Sequence, residues 1–389
     1  MGLCGEGEPS RSGARLLSRV GGGVTTLSDA GPPWQVAVDF PGRVTVMDWK
    51  ANGKTQVVAA GLKAPARPTS VHQGRPQGRQ YEPVHPLAER ALKITVLSGG
   101  PSSEREVSLK SGRAVADALV SIGHEVQLAD IDPGHLDALD IPADVVFIAL
   151  HGAFGEDGQV QRLLEQRALR YCGSGPEASA LAMDKAAAKK RFVEAGVPTP
   201  RFEVATPQTV AQVLSRWSAP VALKPVDAGS SVDCVMAGED ATLRARLPEL
   251  ADRYGCCLVE QYVQGPELTV GVLGDEALPA IQIRTRRAFY DYQAKYEDED
   301  TEYLFEIDLP VDVLERVRAL SLAAHRALGC RDFSRVDWMV DARTHAPYVL
   351  EINAIPGFTS HSLLPKAAAR VGLSFPALCQ RIVEMTCRR

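Results

Sequence analysis

Glu351 and Asn353 stand two apart in Val349-Leu350-Glu351-Ile352-Asn353. Side chains two apart in a β-strand share a face. Two oxygen-bearing groups would therefore project together from an otherwise apolar segment. Uncompensated, that polarity is costly to bury. A hard cation such as Mg²⁺ compensates it, because Mg²⁺ takes carboxylate and amide oxygens and leaves positions open for phosphate. Arg335 and Asp337 repeat the spacing on a second apolar run expected to be a neighbouring strand. Asp337, Glu351 and Asn353 would then be three hard oxygen ligands, and Arg335 would remain to stabilise developing negative charge. Pro356-Gly357 ends the strand in a loop bearing Thr359, Ser360 and Ser362. Together these residues suggest an enzyme that handles phosphate and a small carboxylate.

The surrounding pattern says what positions them. Lys93–Ser98, a helix reaching about Ile122, Glu125–Leu128 and Asp144–Leu150 alternate as strand, helix, strand, strand. That order predicts a parallel α/β sheet with its active loops at strand C-terminal ends. Two polar loops fall there: Gly99–Glu106, with Glu104 able to hold an ammonium, and His151–Gly158. Helices are predicted at Gly158–Arg167, Asp184–Ala195 and Ser374–Cys387. Strands are predicted at Val221–Lys224, Cys257–Glu260, Glu267–Leu273, Ala280–Ile283, Ser334–Val340 and Pro347–Ile352, giving an α+β half with an antiparallel sheet.

Lys224 precedes the small-residue stretch Ala228-Gly229-Ser230-Ser231, a loop able to close over phosphates. It is not a Walker A loop. Lys185 stands on a short apolar stretch. Either lysine alone also reads as a solvated surface charge. Glu260 and Glu267 flank a Gly265-Pro266 hinge that could take an adenine edge and a ribose, or be surface glutamates. The aromatic, polar run Phe289–Tyr296 reads as a lid or as a surface loop.

Composition narrows the class. At 389 residues the chain suggests two to four domains. Its net charge of −5 argues against nucleic acid as a main partner. No apolar run approaches the roughly 18–20 residues of a membrane span, and no secretory signal is evident. Eight scattered cysteines without C-x-x-C argue against zinc and disulfide frameworks and fit a reducing cytoplasm. Residues 1–90 hold 13 of the 33 glycines and 9 of the 26 prolines, so they read as an extension, largely disordered or linker. Within it, Trp34–Phe40, Arg43–Trp49 and Thr55–Ala60 could form a small β-meander, helped by Asn52-Gly53.

Several runs in order resemble the D-alanine–D-alanine ligases of the ATP-grasp superfamily. They are Gly-Gly-Pro-Ser-Ser-Glu-Arg-Glu-Val-Ser at 99–108, Phe-Ile-Ala-Leu-His-Gly at 147–152, Gly-Glu-Asp-Gly at 155–158, Gly-Ser-Gly at 173–175 and Met-Asp-Lys at 183–185. Gly-Pro-Glu at 265–267, Phe-Tyr-Asp-Tyr-x-Ala-Lys-Tyr at 289–296 and Pro-Gly-Phe-Thr-Ser-His-Ser at 356–362 complete the series. The resemblance covers about 91–389. It implies a mixed α/β and α+β ATP-grasp fold: an N-terminal parallel α/β substrate domain over 91–173, a central ATP-grasp subdomain over 174–258, and a C-terminal one over 259–389.

The implied chemistry is ATP-dependent ligation of two D-alanines through a D-alanyl phosphate, for peptidoglycan precursor synthesis. D-Alanine–D-lactate or D-alanine–D-serine ligation, or a silent nucleotide-binding regulator, stand as alternatives. The implied roles are specific. Glu104 anchors the first ammonium with His151 nearby. Lys185, Lys224 and Lys295 bind phosphates, with Ser231 also in the nucleotide loop. Glu260, Val263 and Glu267 form the adenosine site. Asp337, Glu351 and Asn353 hold Mg²⁺, as two ions, with Mn²⁺ a possible substitute. Arg335 and the Gly357 amide stabilise the tetrahedral intermediate. Ser362 binds the second carboxylate, and Ser230 with Tyr296 closes the lid. The resemblance also implies a cytoplasmic homodimer with no membrane or nucleic-acid partner. The chain departs from the usual pattern at Ala228 (usually Glu), Asp233 (Gly), Gln261 (Lys), Gln293 (Glu) and Ala354 (Thr).

Overall fold

The computed structural model describes residues 34–39, 43–48, 56–57, 91–227, 229, 232–285, 301–359 and 362–389. The disorder reading of the extension, the lid residues Lys295 and Tyr296, and Ser230 and Ser231 lie outside them. The chain divides into two units, Met1–Arg75 and Pro76–Arg389. In the first, Trp34–Asp39, Arg43–Asp48 and Gln56–Val57 pair antiparallel in chain order.

The second unit carries three sheets. Lys93–Gly99 is the centre of a parallel sheet, with Glu125–Ile131 on one side and Val145–Ile148 on the other. Strands buried on both faces read as continuous apolar runs, and Val145–Ile148 is buried throughout. The helix Arg105–Ser121 crosses between the first two strands and buries Val115 and Leu119 against them. A second, antiparallel sheet runs in the order Phe202–Ala205, Cys257–Gln261, Val221–Pro225, Val235–Ala237. The third is antiparallel and six-stranded. Its main path is Glu302–Leu304, Ile281–Arg284, Glu267–Leu273, Phe333–Val340, Pro347–Asn353, and Glu276–Ala277 pairs with Glu267–Leu273.

One hydrophobic core joins the parallel sheet to the third sheet. At its heart Phe147, Phe333 and Phe358 form a triangle. Phe358 meets the other two edge-on, each at 5.2 Å between ring centres. All three are fully buried, so the strand end at Val145–Ile148, the strand Phe333–Val340 and the loop after Pro347–Asn353 are locked together. Edge-to-face pairs add about 0.5–1.5 kcal/mol beyond area burial. Replacing Phe147 by Ala should therefore cost about 3–5 kcal/mol in urea unfolding; a loss under about 1 kcal/mol would mean the triangle is not a structural joint.

Candidate active site

The strands Phe333–Val340 and Pro347–Asn353 are antiparallel neighbours, with Arg335 opposite Asn353 and Asp337 opposite Glu351. Directly opposed residues share a face, so the two polar pairs expected from spacing form one cluster. The register shifts just beyond Asp337. Arg335 grips Asp337 in a fork, Nε to Oδ1 at 3.0 Å and Nη2 to Oδ2 at 2.8 Å. Thr269, opposite Asp337 on its other side, donates its hydroxyl to Oδ1 at 2.6 Å. The Asn353 amide oxygen accepts the N–H of Ile355. Glu351 lies 3.5 Å from the ammonium of Lys185.

Two clefts open on this cluster. The first encloses about 880 Å³ including its mouth and is lined by Lys185, Lys224, Glu260, Val263, Glu267, Asp337 and Glu351 among others. Pro200, Ala222, Val235, Met339 and Leu350 give it apolar walls, the setting a flat heteroaromatic ring needs. Glu260 is not a surface glutamate: it is 1% exposed. Lys224 Nζ donates to its Oε2 and Lys189 Nζ to its Oε1, each at 2.5 Å. Lys189 also donates to Thr199, at 2.7 Å.

The second cleft is lined by Glu104, His151, Glu156, Lys185, Gly229, Arg335, Glu351, Asn353 and Gly357, with Ala354 beside them. Most of these are polar. Lys185 and Glu351 line both clefts. They form a wall common to the two clefts. Gly229 reaches over Glu104, since a Cβ on Gly229 would lie 3.4 Å from Glu104 Oε2. His151 is buried and both ring nitrogens face protein, Nδ1 toward Glu156 and Nε2 toward Ser111, each at 3.2 Å. Burial pushes the Glu156 carboxyl up. Ser362 Oγ accepts the Thr359 N–H at 3.0 Å and precedes the helix Leu363–Arg370.

Among the described residues, no group of three His, Cys, Asp or Glu is placed to hold a metal. The donor set at the cluster is two carboxylates and one amide. That set suits Mg²⁺ or Mn²⁺ and not zinc. The glycine-to-aspartate departure at 233 has a structural account. Asp233 adopts φ +52°, a left-handed conformation that Asp tolerates better than most residues. Arg253 holds its carboxylate at 2.8 Å, and the Tyr254 hydroxyl donates to it. Ala354 is buried and apolar where a hydroxyl is usual. Ala228 and Gln293 lie outside the described residues.

Lys189, Ser111 and Thr269 were not singled out from the sequence, and Glu156 entered only within the runs at 151–158. Lys189 carried a usable signal, since it is four residues after Lys185 on the helix Lys185–Glu194 and so shares its face. Two ammonium groups on one buried carboxylate leave an excess positive charge, a suitable setting for phosphate. Burial pulls Lys189 down to about 8 against the attraction of Glu260. Lys224 is raised despite burial, because Glu260 faces it. Glu260 stays below the usual carboxylate range despite burial, because both lysines hold its charge. Between about pH 8 and the ordinary lysine value of 10.5, the unfolded chain binds a proton at Lys189 that the folded protein does not. Stability from this site therefore rises with pH through that window. Wild type should gain stability relative to Lys189→Met between about pH 7.5 and about pH 9.5 in urea unfolding. A difference that stays flat or falls would contradict the assignment.

The description "D-ala D-ala ligase C-terminus" matches residues 193–384, and "D-ala D-ala ligase N-terminus" matches residues 134–174. A D-alanine–D-alanine ligase of Anaeromyxobacter sp. (strain Fw109-5) is 44% identical over 298 residues, covering 75% of this chain and 96% of the relative. One from Marinobacter nauticus is 45% identical over 306 residues, covering 78% and 94%. The crystal structure of the Bacillus anthracis D-alanine–D-alanine ligase complexed with ATP superposes with a TM-score of 0.68 at 34% identity, covering 77% of this chain and 98% of that one. With the two polar strands, the shared wall of two clefts and these relatives taken together, the chain belongs to the D-alanine–D-alanine ligase family.

Proposed function

We propose that this chain joins two D-alanines using ATP, forming D-alanyl phosphate and then D-alanyl-D-alanine, ADP and phosphate. The observation that carries the reading is the wall shared by the two clefts, where Lys185 and Glu351 belong to both. The adenosine lies in the apolar cleft against Val263, with its ribose toward Glu267. Lys185 and Lys224 draw the phosphates to the wall. In the polar cleft, Glu104 holds the ammonium of the first D-alanine and turns its carboxylate toward that wall. A carboxylate oxygen takes the γ-phosphoryl group and ADP is released from the bond. Reacting groups held in this way gain rate from orientation alone.

The amine of the second D-alanine then attacks the acyl carbon. Arg335 and the Gly357 N–H face the oxygen that becomes negative, the arrangement that lowers barriers in acyl transfer. The carbon–oxygen bond to phosphate breaks as the peptide bond forms, and the departing phosphate takes up the amine's proton. Ser362, at the start of a helix whose amides favour anions, receives the second carboxylate. Asp337, Glu351 and Asn353 are the residues that would hold Mg²⁺, or Mn²⁺ in its place. When bound, the ion neutralises charge on the transferring phosphates. The product serves peptidoglycan precursor synthesis, and a cytoplasmic homodimer is the expected form. No described helix is long and apolar enough to cross a membrane.

Phosphate release from ATP should require D-alanine and yield one dipeptide per ATP. No release with any D-amino acid at millimolar levels would sink the reading, and D-lactate incorporation near neutral pH would redirect it to an ester ligase. Glu351→Gln should lower Mg²⁺-dependent turnover by about 100-fold or more. An unchanged rate would place the metal elsewhere.

A further inference from the structure

The buried polar groups behind the substrate cleft form a chain that the reaction steps above do not use. Ser111 is fully buried on the helix Arg105–Ser121. Its Oγ accepts the backbone N–H of Phe358 at 3.4 Å and lies 3.2 Å from His151 Nε2. His151 Nδ1 continues to Glu156 Oε1 at 3.2 Å. The His151 carbonyl is fixed separately by the Ser102 hydroxyl at 2.6 Å. One end of this chain thus sits at the polar cleft and the other on the peptide that follows Gly357.

We propose that Ser111, His151 and Glu156 act as a positioning chain that fixes the Gly357–Phe358 peptide, and through it the Gly357 amide, against the substrate cleft. Gly357 has no Cβ, and a Cβ there would come 2.7 Å from Ser362 Oγ. A side chain at 357 would displace the Ser362 hydroxyl, and glycine there leaves the backbone free to rotate. Something must fix the flank. The Phe358 ring, locked in the aromatic triangle, holds one side, and the Ser111 acceptor fixes the direction of the Phe358 N–H. Ser111 is itself oriented by His151, whose ring cannot turn while Glu156 and Ser111 occupy both nitrogens. His151 in this account supports the site and is not a free base. Burial, with a smaller contribution from the charge of Glu104, raises the Glu156 carboxyl against the pull of His151. Whichever ring nitrogen carries the proton, Glu156 and Ser111 engage the two sides of the imidazole.

The proposal rests on Gly357 as the amide facing the oxyanion, and the test separates the two. Ser111→Thr and Ser111→Val add the same bulk and differ in the hydroxyl, so folding effects are shared between them. The valine variant should lose about 10–100-fold in kcat relative to the threonine variant, and as much affinity for a phosphinate dipeptide analogue in the presence of ATP. KM for ATP and affinity for ADP should differ less than about twofold, a split that general loosening of the fold would not produce. Glu156→Gln, which keeps a hydrogen-bonding group, should retain activity better than Glu156→Ala. Equal kcat and equal analogue affinity in the threonine and valine variants, with wild type binding the analogue tightly, would overturn the positioning chain alone. Wild type binding the analogue no tighter than D-alanyl-D-alanine would remove the Gly357 reading, and the chain's purpose with it.

Discussion

The antiparallel pairing of Phe333–Val340 with Pro347–Asn353 is the constraint on which the site depends. Its register sets Arg335 against Asn353 and Asp337 against Glu351. A slip of one residue would send every one of these side chains to the opposite face. Burial prevents the slip. Val336, Trp338, Val340, Val349 and Ile352 are buried on the same two strands, and Trp338 is pinned by its indole N–H to Ser321 at 2.9 Å. The apolar alternation that holds the strands together is therefore what holds four polar groups in one place.

Charge balance follows from that placement. The site concentrates Lys185, Lys189, Lys224 and Arg335 against Asp337, Glu260 and Glu351, mostly away from water. A buried ion pair does not guarantee stability, and breaking one leaves an uncompensated charge. The lysines hold Glu260 ionised while retaining attraction for a phosphate. Arg335 is already aligned by Asp337, so in the role proposed for it little reorganisation would be needed. The same cluster thus supports both the fold and the chemistry proposed for it.

Much of this was legible in the chain. The strand Glu267–Leu273 falls where the pattern predicts it, and most other predicted strands are within a few residues of their observed bounds. The two-apart polar pairs pointed to one face, and their strands are neighbours. Other features were not legible for physical reasons. The helix Asp240–Tyr254 contains Pro248, which reads as a break. Val235–Ala237 is three residues long, too short for a period to register. Ser111 lies on a predicted helix, but its value comes from His151 and Phe358, distant in sequence and brought together by the core. Thr269 shows the same limit: its hydroxyl matters because Asp337 is opposite, and register is not a local property.

The central claim is that the two clefts meet so that the γ-phosphoryl group of ATP passes to the carboxylate of the first D-alanine. Ligation with D-alanine carrying ¹⁸O in its carboxylate tests this most directly, read by mass spectrometry of the released phosphate. The account predicts one ¹⁸O atom in each phosphate formed, because the carboxylate oxygen that accepts the phosphoryl group leaves with it. Released phosphate free of ¹⁸O, with dipeptide still formed, would contradict it.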